Sequence, residues 1–317
     1  MQENEFVTWL MEAKTPSIRS LTLTGLLGYK EDDPRVSNAR RAILESGPVP
    51  AILAGQKENG QWAGERSFYT PKYVSSHWSM LLLAEFRVDG NDPRFRRGAR
   101  HMLDTTANWL KDLQLANSSD LTCFWGNLLR YSLQAGEMDK RVEMIIHFTA
   151  LGLLEGNCLC KHNNGHACAW GVVRALWGLA ALPSAQRTQE VDQAIQIGVD
   201  FLAGGPHRLV KADYPGPDGG SINKLWFKLN FPLFYQVDIL FTLRVLGELG
   251  ALQAPGAGEA LDWLEGLRGK NLRWHGSSPF SSRTWRELAD REETARWVSL
   301  QAATILQQAG RLSAWRS

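Results

Sequence analysis

Three of the four cysteines fall in one short run, Cys158-Leu159-Cys160-Lys161-His162-Asn163-Asn164-Gly165-His166-Ala167-Cys168, with two histidines between them. Thiolates and imidazoles are the ligands zinc prefers, in a tetrahedral site that keeps one position open when the metal does chemistry. The chain starts on Met-Gln-Glu-Asn-Glu-Phe, which is acidic and polar. That start reads as no secretory leader and points to the cytoplasm. In a reducing compartment, clustered Cys and His mean metal sooner than disulfides. Cys123 lies one repeat earlier, at the position equivalent to Cys168. Taken by itself it reads as a space-filling thiol, since free Cys is among the most buried residue types. The residues therefore predict zinc, with Cys160, His166, Cys168 and Cys123 as a ligand pool whose actual set the spacing leaves open.

The elements that must position these residues are visible as a repeat. Cys123-Phe124-Trp125-Gly126 is followed by Arg130, and Cys168-Ala169-Trp170-Gly171 by Arg174; the two blocks start 45 residues apart. Each opens an apolar helix, as does His77-Trp78, 47 residues before Trp125. Gln236-Val237-Asp238 and Arg296-Trp297-Val298 open two more. Six strongly apolar helices are predicted to begin near Pro16, Ser76, Leu121, Ala167, Pro232 and Thr294. Six amphipathic ones alternate with them, over 3–13, 35–55, 93–115, 139–154, 187–203 and 257–268. A helix apolar on most faces is buried all round, and one charged along a single face lies outside. No window of five or more residues alternates as a strand. The prediction is an all-α, single-domain (α/α)6 toroid over residues 1–317, with six inner and six outer helices. Loops from inner to outer helices are short, whereas 57–75, 155–166, 204–231 and 269–293 are long. The long ones share the face where inner helices begin, which places the functional site there. Helix N-termini on that face favour an anion or a thiolate.

Composition narrows the function classes. The 317 residues carry 35 Lys+Arg against 33 Asp+Glu, a net charge of +2 that gives no nucleic-acid surface. The apolar runs fall far short of the ~20 residues of a membrane span. Thirteen tryptophans stand out among 31 aromatic residues (13 Trp, 6 Tyr, 12 Phe). Trp78, Trp125 and Trp170 recur at the starts of apolar helices, so part of this excess follows from the repeat.

Gln56-Lys57-Glu58-Asn59-Gly60-Gln61-Trp62 fits Gln-x3-Gly-x-Trp. It resembles the QW repeat of squalene–hopene cyclases, and the alternating helices look like the wider superfamily that includes protein prenyltransferase β subunits. Gly269 to Trp274 and the stretch from Gly156 look like eroded copies. The resemblance implies an enzyme acting on an apolar, isoprenoid-type substrate inside the toroid, and protein prenyltransferases also need a partner subunit. Prenyltransferase β subunits bind zinc through an Asp-x-Cys pair and a His from the next repeat. By resemblance His166, Cys168 and Asp238 match these ligand types with Asp and His exchanged, so Asp238 joins the metal pool. Asp238 also stands nearest to the catalytic acid of class II cyclases. There Gln236-Val237-Asp238-Ile239 keeps one acid of the Asp-x-Asp-Asp motif, and no Asp-Asp-x-x-Asp magnesium motif is present. His77, Trp78, Trp125, Trp170 and Tyr235 would line the substrate cavity, where aromatic faces stabilise carbocations. Two other readings stand beside this one. The first is a binding or scaffold toroid with a structural zinc knot. The second is a glycan-cleaving toroid drawing on Glu65, Asp213, Asp218 and Glu287.

Overall fold

The computed structural model describes residues 2–116, 118–217, 222–269 and 271–313. It is all-α: thirteen α-helices and isolated bridges, with no strand among the described residues. The helices are α1 (Gln2–Met11), α2 (Pro16–Leu21), α3 (Pro34–Ile43), α4 (Pro48–Ala54), α5 (Ser76–Glu85), α6 (Pro93–Ala116) and α7 (Thr122–Gln134). They continue as α8 (Lys140–Leu154), α9 (Ala169–Leu179), α10 (Gln189–Ala203), α11 (Ile239–Glu248), α12 (Ala257–Gly266) and α13 (Arg291–Gln308). A π-helical turn, Thr22–Leu26, extends α2.

Starts follow local chemistry. Asp33, Asp139, Thr188, Asp238 and Asp290 each cap a helix by accepting a hydrogen bond from a backbone N–H of its first turn. The amphipathic stretch expected over 35–55 divides into α3 and α4. Gly47 takes φ +74° and Pro48 begins the second helix, where a missing N–H costs nothing. The helix expected near Pro232 begins at Ile239 instead, because Asp238 provides the cap.

Burial separates two classes of helix. All of Ser76–Ala84 in α5 is buried, and α7, α9 and α11 are buried on nearly every face. In α6 the buried residues recur at three- and four-residue spacing, through Phe95, Ala99, Met102, Thr106, Leu110 and Leu113. α5 packs on α7, α7 on α9, α9 on α11, α11 on α13, and α13 on α2. α6 rests on α5 and α7, α8 on α7 and α9, and α12 on α11 and α13. α7 and α9 are the most closely packed pair, and glycines permit it. A Cβ at Gly126 would sit 2.2 Å from the Arg174 carbonyl oxygen, and one at Gly178 would sit 2.4 Å from the Gly126 oxygen. Among the described residues no helix is long and apolar enough to cross a membrane.

Candidate functional site: a thiol pair in a backbone knot

Beyond α8 the chain reverses through Gly156, Asn157 and Cys158, all at positive φ (+127°, +58° and +59°). Cys158 N–H donates to Gly152 O at 2.6 Å and Cys168 N–H to Asn157 O at 3.1 Å. Cys160 starts a 3-10 turn, Lys161–Asn163, and its carbonyl accepts from Asn163 N (2.8 Å) and Gly165 N (2.9 Å). Its own N–H donates to His166 O at 3.1 Å. The Asn163 amide donates to Ala167 O (2.8 Å) and Pro215 O (3.0 Å), tying the loop to the next long connection. Cys168 caps α9, its Sγ accepting from Gly171 N at 3.4 Å. These backbone bonds bring the Cys160 and Cys168 side chains into hydrogen-bond contact. All four cysteines are free thiols.

The electrostatics of the pair are asymmetric. The hydrogen bond from Cys168 draws the Cys160 thiol down to about 6, against its partial burial. The N–H groups of His162 and Asn163 and the charge of His162 lower it further. Cys168 is held well above its ordinary value, first by its bond to Cys160 and then by burial. The two shifts run in opposite directions, favouring the charged form at Cys160 and the protonated form at Cys168. Burial, together with that charge, pushes Cys123 up to about 11. Cys158 is buried and its thiol is pushed up by desolvation.

Neither His166 nor Asp238 joins the two sulfurs in a cluster of metal ligands among the described residues. His166 is exposed, and among the described residues no three His, Cys, Asp or Glu side chains converge to hold a metal ion. Asp238 is buried, and its carboxylate accepts from Phe241 N (2.8 Å), Asn230 N (2.8 Å) and the Asn230 amide (3.0 Å). Burial raises it to about 6, against the pull of these donors. The site's donor chemistry therefore fits zinc only in part. Two sulfurs adjoin, while the Asp that the resemblance requires is engaged by a helix start and Asn230.

Of the expected cavity residues, His77, Trp78 and Trp125 are buried in packing. His77 stacks on Phe124 at 4.5 Å, meets Tyr131 Oη at 3.2 Å, and is pushed down to about 3 by burial and by Arg174. Trp78 donates to Tyr69 O at 3.0 Å, and Trp125 lies on Trp109 at 4.5 Å. Trp170 and Tyr235 are half-buried, with ring centroids 6.2 Å apart, and the Lys72 ammonium stands 5.1 Å from the Tyr235 ring centre. Glu65 is engaged by Ser76, accepting from its N–H and its hydroxyl at 2.7 Å each. Asp213 accepts from Arg208 N at 2.7 Å, Glu287 lies exposed in a 3-10 turn, and Asp218 falls outside the described residues.

A second polar cluster escaped the sequence reading. Arg244 of α11 makes a two-pronged ion pair with Glu85 of α5. Arg130 of α7 donates to Glu248 at 2.5 Å and to Trp177 O at 3.2 Å. Arg174 of α9 donates to Gln236 O at 2.7 Å and lies over the Phe241 ring at 4.2 Å. Ion pairs and arginine-to-carbonyl bonds thus link the buried helices α5, α7, α9 and α11. The available signal was a lone charge inside each apolar helix, of which Arg130 and Arg174 already belonged to the repeat. At this end, among the C-termini of the buried helices, opens a cavity of about 1010 Å3 that none of the thiols lines. No family model, curated protein or solved structure matches the chain.

Proposed function

We propose that this chain is an enzyme using the Cys160 thiolate as nucleophile on the helix-start face of an (α/α)6 toroid, toward an apolar, isoprenoid-type substrate. The order of contacts α5–α7–α9–α11–α13–α2 supports the toroid, as does Ser17 Oγ donating at 2.6 Å to Phe86 O, which joins α2 to the end of α5. Two tryptophans in matching settings support it further. Trp62 Nε1 donates to Ile52 O (2.9 Å) and Trp274 Nε1 to Leu264 O (2.7 Å), each ten residues back. The N–H of each donates to a serine hydroxyl on a buried helix, Ser76 and Ser299. The full and the eroded QW motif thus lock their repeats alike.

What carries the functional reading is the backbone knot that sets Cys160 beside Cys168, with the Cys160 thiol drawn down to about 6 and Cys168 held up. Cys160 presents an electron pair at neutral pH, stabilised by backbone N–H groups as catalytic thiolates are. As its sulfur bonds an electrophilic carbon, the leaving group departs and takes the Cys168 proton. Trp170, two residues after Cys168, meets Tyr235 at 61° between ring planes, and the two offer aromatic surface to an apolar chain. N-decyl chloroacetamide at pH 6 tests this. Cys160 should be labelled roughly tenfold faster than a free cysteine peptide, after allowing for the weaker nucleophilicity of an acidic thiol. The advantage should vanish in Cys168→Ser. A Cys160 no faster than the peptide would end the proposal, and equal preference for polar iodoacetamide would end its apolar part.

The charged helix junction favours a second reading, a binding or scaffold toroid in which zinc is a structural tie between Cys160 and Cys168. Elemental analysis of the purified protein separates the two. Stoichiometric zinc, with loss of fold in Cys168→Ala, would favour the tie. A folded, zinc-free chain after zinc supplementation would remove it.

A further inference from the structure

The cavity at the helix-end face has charge to spare. Arg40, Arg41, Arg87 and Arg130 line it together with Glu31, Asp89 and Glu248. Arg40 is paired with Glu31, and Arg130 with Glu248. Asp89 is turned to Asn91, accepting from its N–H at 2.9 Å. That leaves Arg41, which pairs with no carboxylate among the described residues, and Arg87, whose nearest carboxylate oxygen is 3.8 Å away on Glu248. Behind the wall a smaller cavity of about 190 Å3 shares Arg87, Arg130 and Glu248 and reaches Arg244. Arg87 is itself about half exposed, and its charge is repelled by Arg130 and Arg244.

The backbone at Arg87 adds an independent sign. It closes the end of α5 at φ +57°, with Arg87 N donating to Ala84 O (3.0 Å) and Val88 N to Leu83 O (3.1 Å). This is the left-handed position where glycine is usual, and Gly28, Gly136, Gly250 and Gly310 take it elsewhere in this chain. An arginine there is conformationally costly and projects a guanidinium into the cavity. Leu21, Leu44, Val88 and Leu133 also line it, beside Ser20, Thr24, Ser37 and Gln134.

We infer that this end of the molecule binds a small amphiphilic anion, a carboxylate or phosphate head set at Arg41 and Arg87 with its apolar body against Leu21, Leu44 and Leu133. Guanidinium forks match both head groups, which share planar or tetrahedral oxygens suited to two-pronged bonds. Bound there, the head would supply the negative charge that the ion network lacks. The site is separate from the thiols, so it stands or falls independently of them.

Calorimetric titration at fixed ionic strength with decanoate, decyl phosphate and decyltrimethylammonium tests the inference. One of the two anions should saturate a single site, and which one does identifies the head. Arg87→Gly provides the discriminating variant, since glycine suits the positive φ and should leave the thermal midpoint unchanged or higher. Its affinity for the anion should fall roughly tenfold or more, and that of Arg41→Gln likewise. Absence of saturable binding of either anion, equal binding of the ammonium, or unchanged affinity in both variants would overturn the assignment.

Discussion

Cys160 and Asp238 are both acids near pH 6, for opposite physical reasons. Cys160 is drawn down by a donated hydrogen bond and two backbone N–H groups, so its charged form is stabilised. Asp238 is driven up by burial, so its charged form is penalised even with three donors around it. The sign of the pH effect on stability follows from the second shift. The folded value lies above the unfolded carboxylate near 3.9, so Asp238 contributes stability below about pH 4 and loses it as pH rises through about 6. Asp238→Asn removes that loss. Between pH 4 and pH 7 its stability relative to wild type should improve by on the order of 2 kcal/mol in urea unfolding. A pH-independent difference would mean that Asp238 titrates as an ordinary carboxylate. The cap itself was legible, as an Asp before an apolar helix, but its engagement by Asn230 was not. Asn230 lies eight residues back in an irregular loop, where no periodicity predicts which side chain will face which.

At the scale of elements, the Cys-x-Trp-Gly repeat has an explanation that its spacing alone did not supply. Gly126 is the contact point of α7 and α9, resting on the backbone of Arg174 and Ala175. Gly126→Ala would press a methyl group into a carbonyl oxygen 2.2 Å away, which no side-chain rotation relieves. The helices must separate, and unfolding free energy should drop by about 1–3 kcal/mol, the usual cost of overpacking. A neutral result would show that the pair slides apart freely. Gly171, the matching glycine of the next block, faces Cys158 and Cys168 instead: a Cβ there would lie 2.9 Å from Cys158 Cβ. One motif thus closes a helix pair in the first copy and makes room for the thiol knot in the second. Its recurrence was visible in the sequence. The two uses were not, since each depends on what the fold lays against the glycine.

Across the whole molecule the buried helices are tied together by the ion network of Glu85, Arg244, Arg130 and Glu248. Burial alone would raise Glu85, but the guanidinium of Arg244 overrides it and holds the carboxyl below its ordinary value; Glu248 is likewise held down, chiefly by Arg130 and Arg244. Such groups contribute stability above their unfolded pKa and lose it as pH falls through the folded one, opposite in sign to Asp238. Glu85→Gln leaves the Arg244 charge in the interior with only Glu248, 3.8 Å away, and should cost about 3–5 kcal/mol in urea unfolding near neutral pH. A loss below about 1 kcal/mol would mean that solvent screens the pair. The sequence by itself determined the helical class, the alternation of buried and half-buried helices and the repeat, because hydrophobic period acts between residues a few positions apart. Only the tertiary structure decided that Cys160 meets Cys168, that Asp238 turns to Asn230, that the lone arginines of α7 and α11 meet carboxylates of α11 and α5, and that Arg174 of α9 meets the Gln236 carbonyl. Those contacts join residues of separate elements or loops, and side-chain types and spacing along one chain do not fix how its helices rotate against one another.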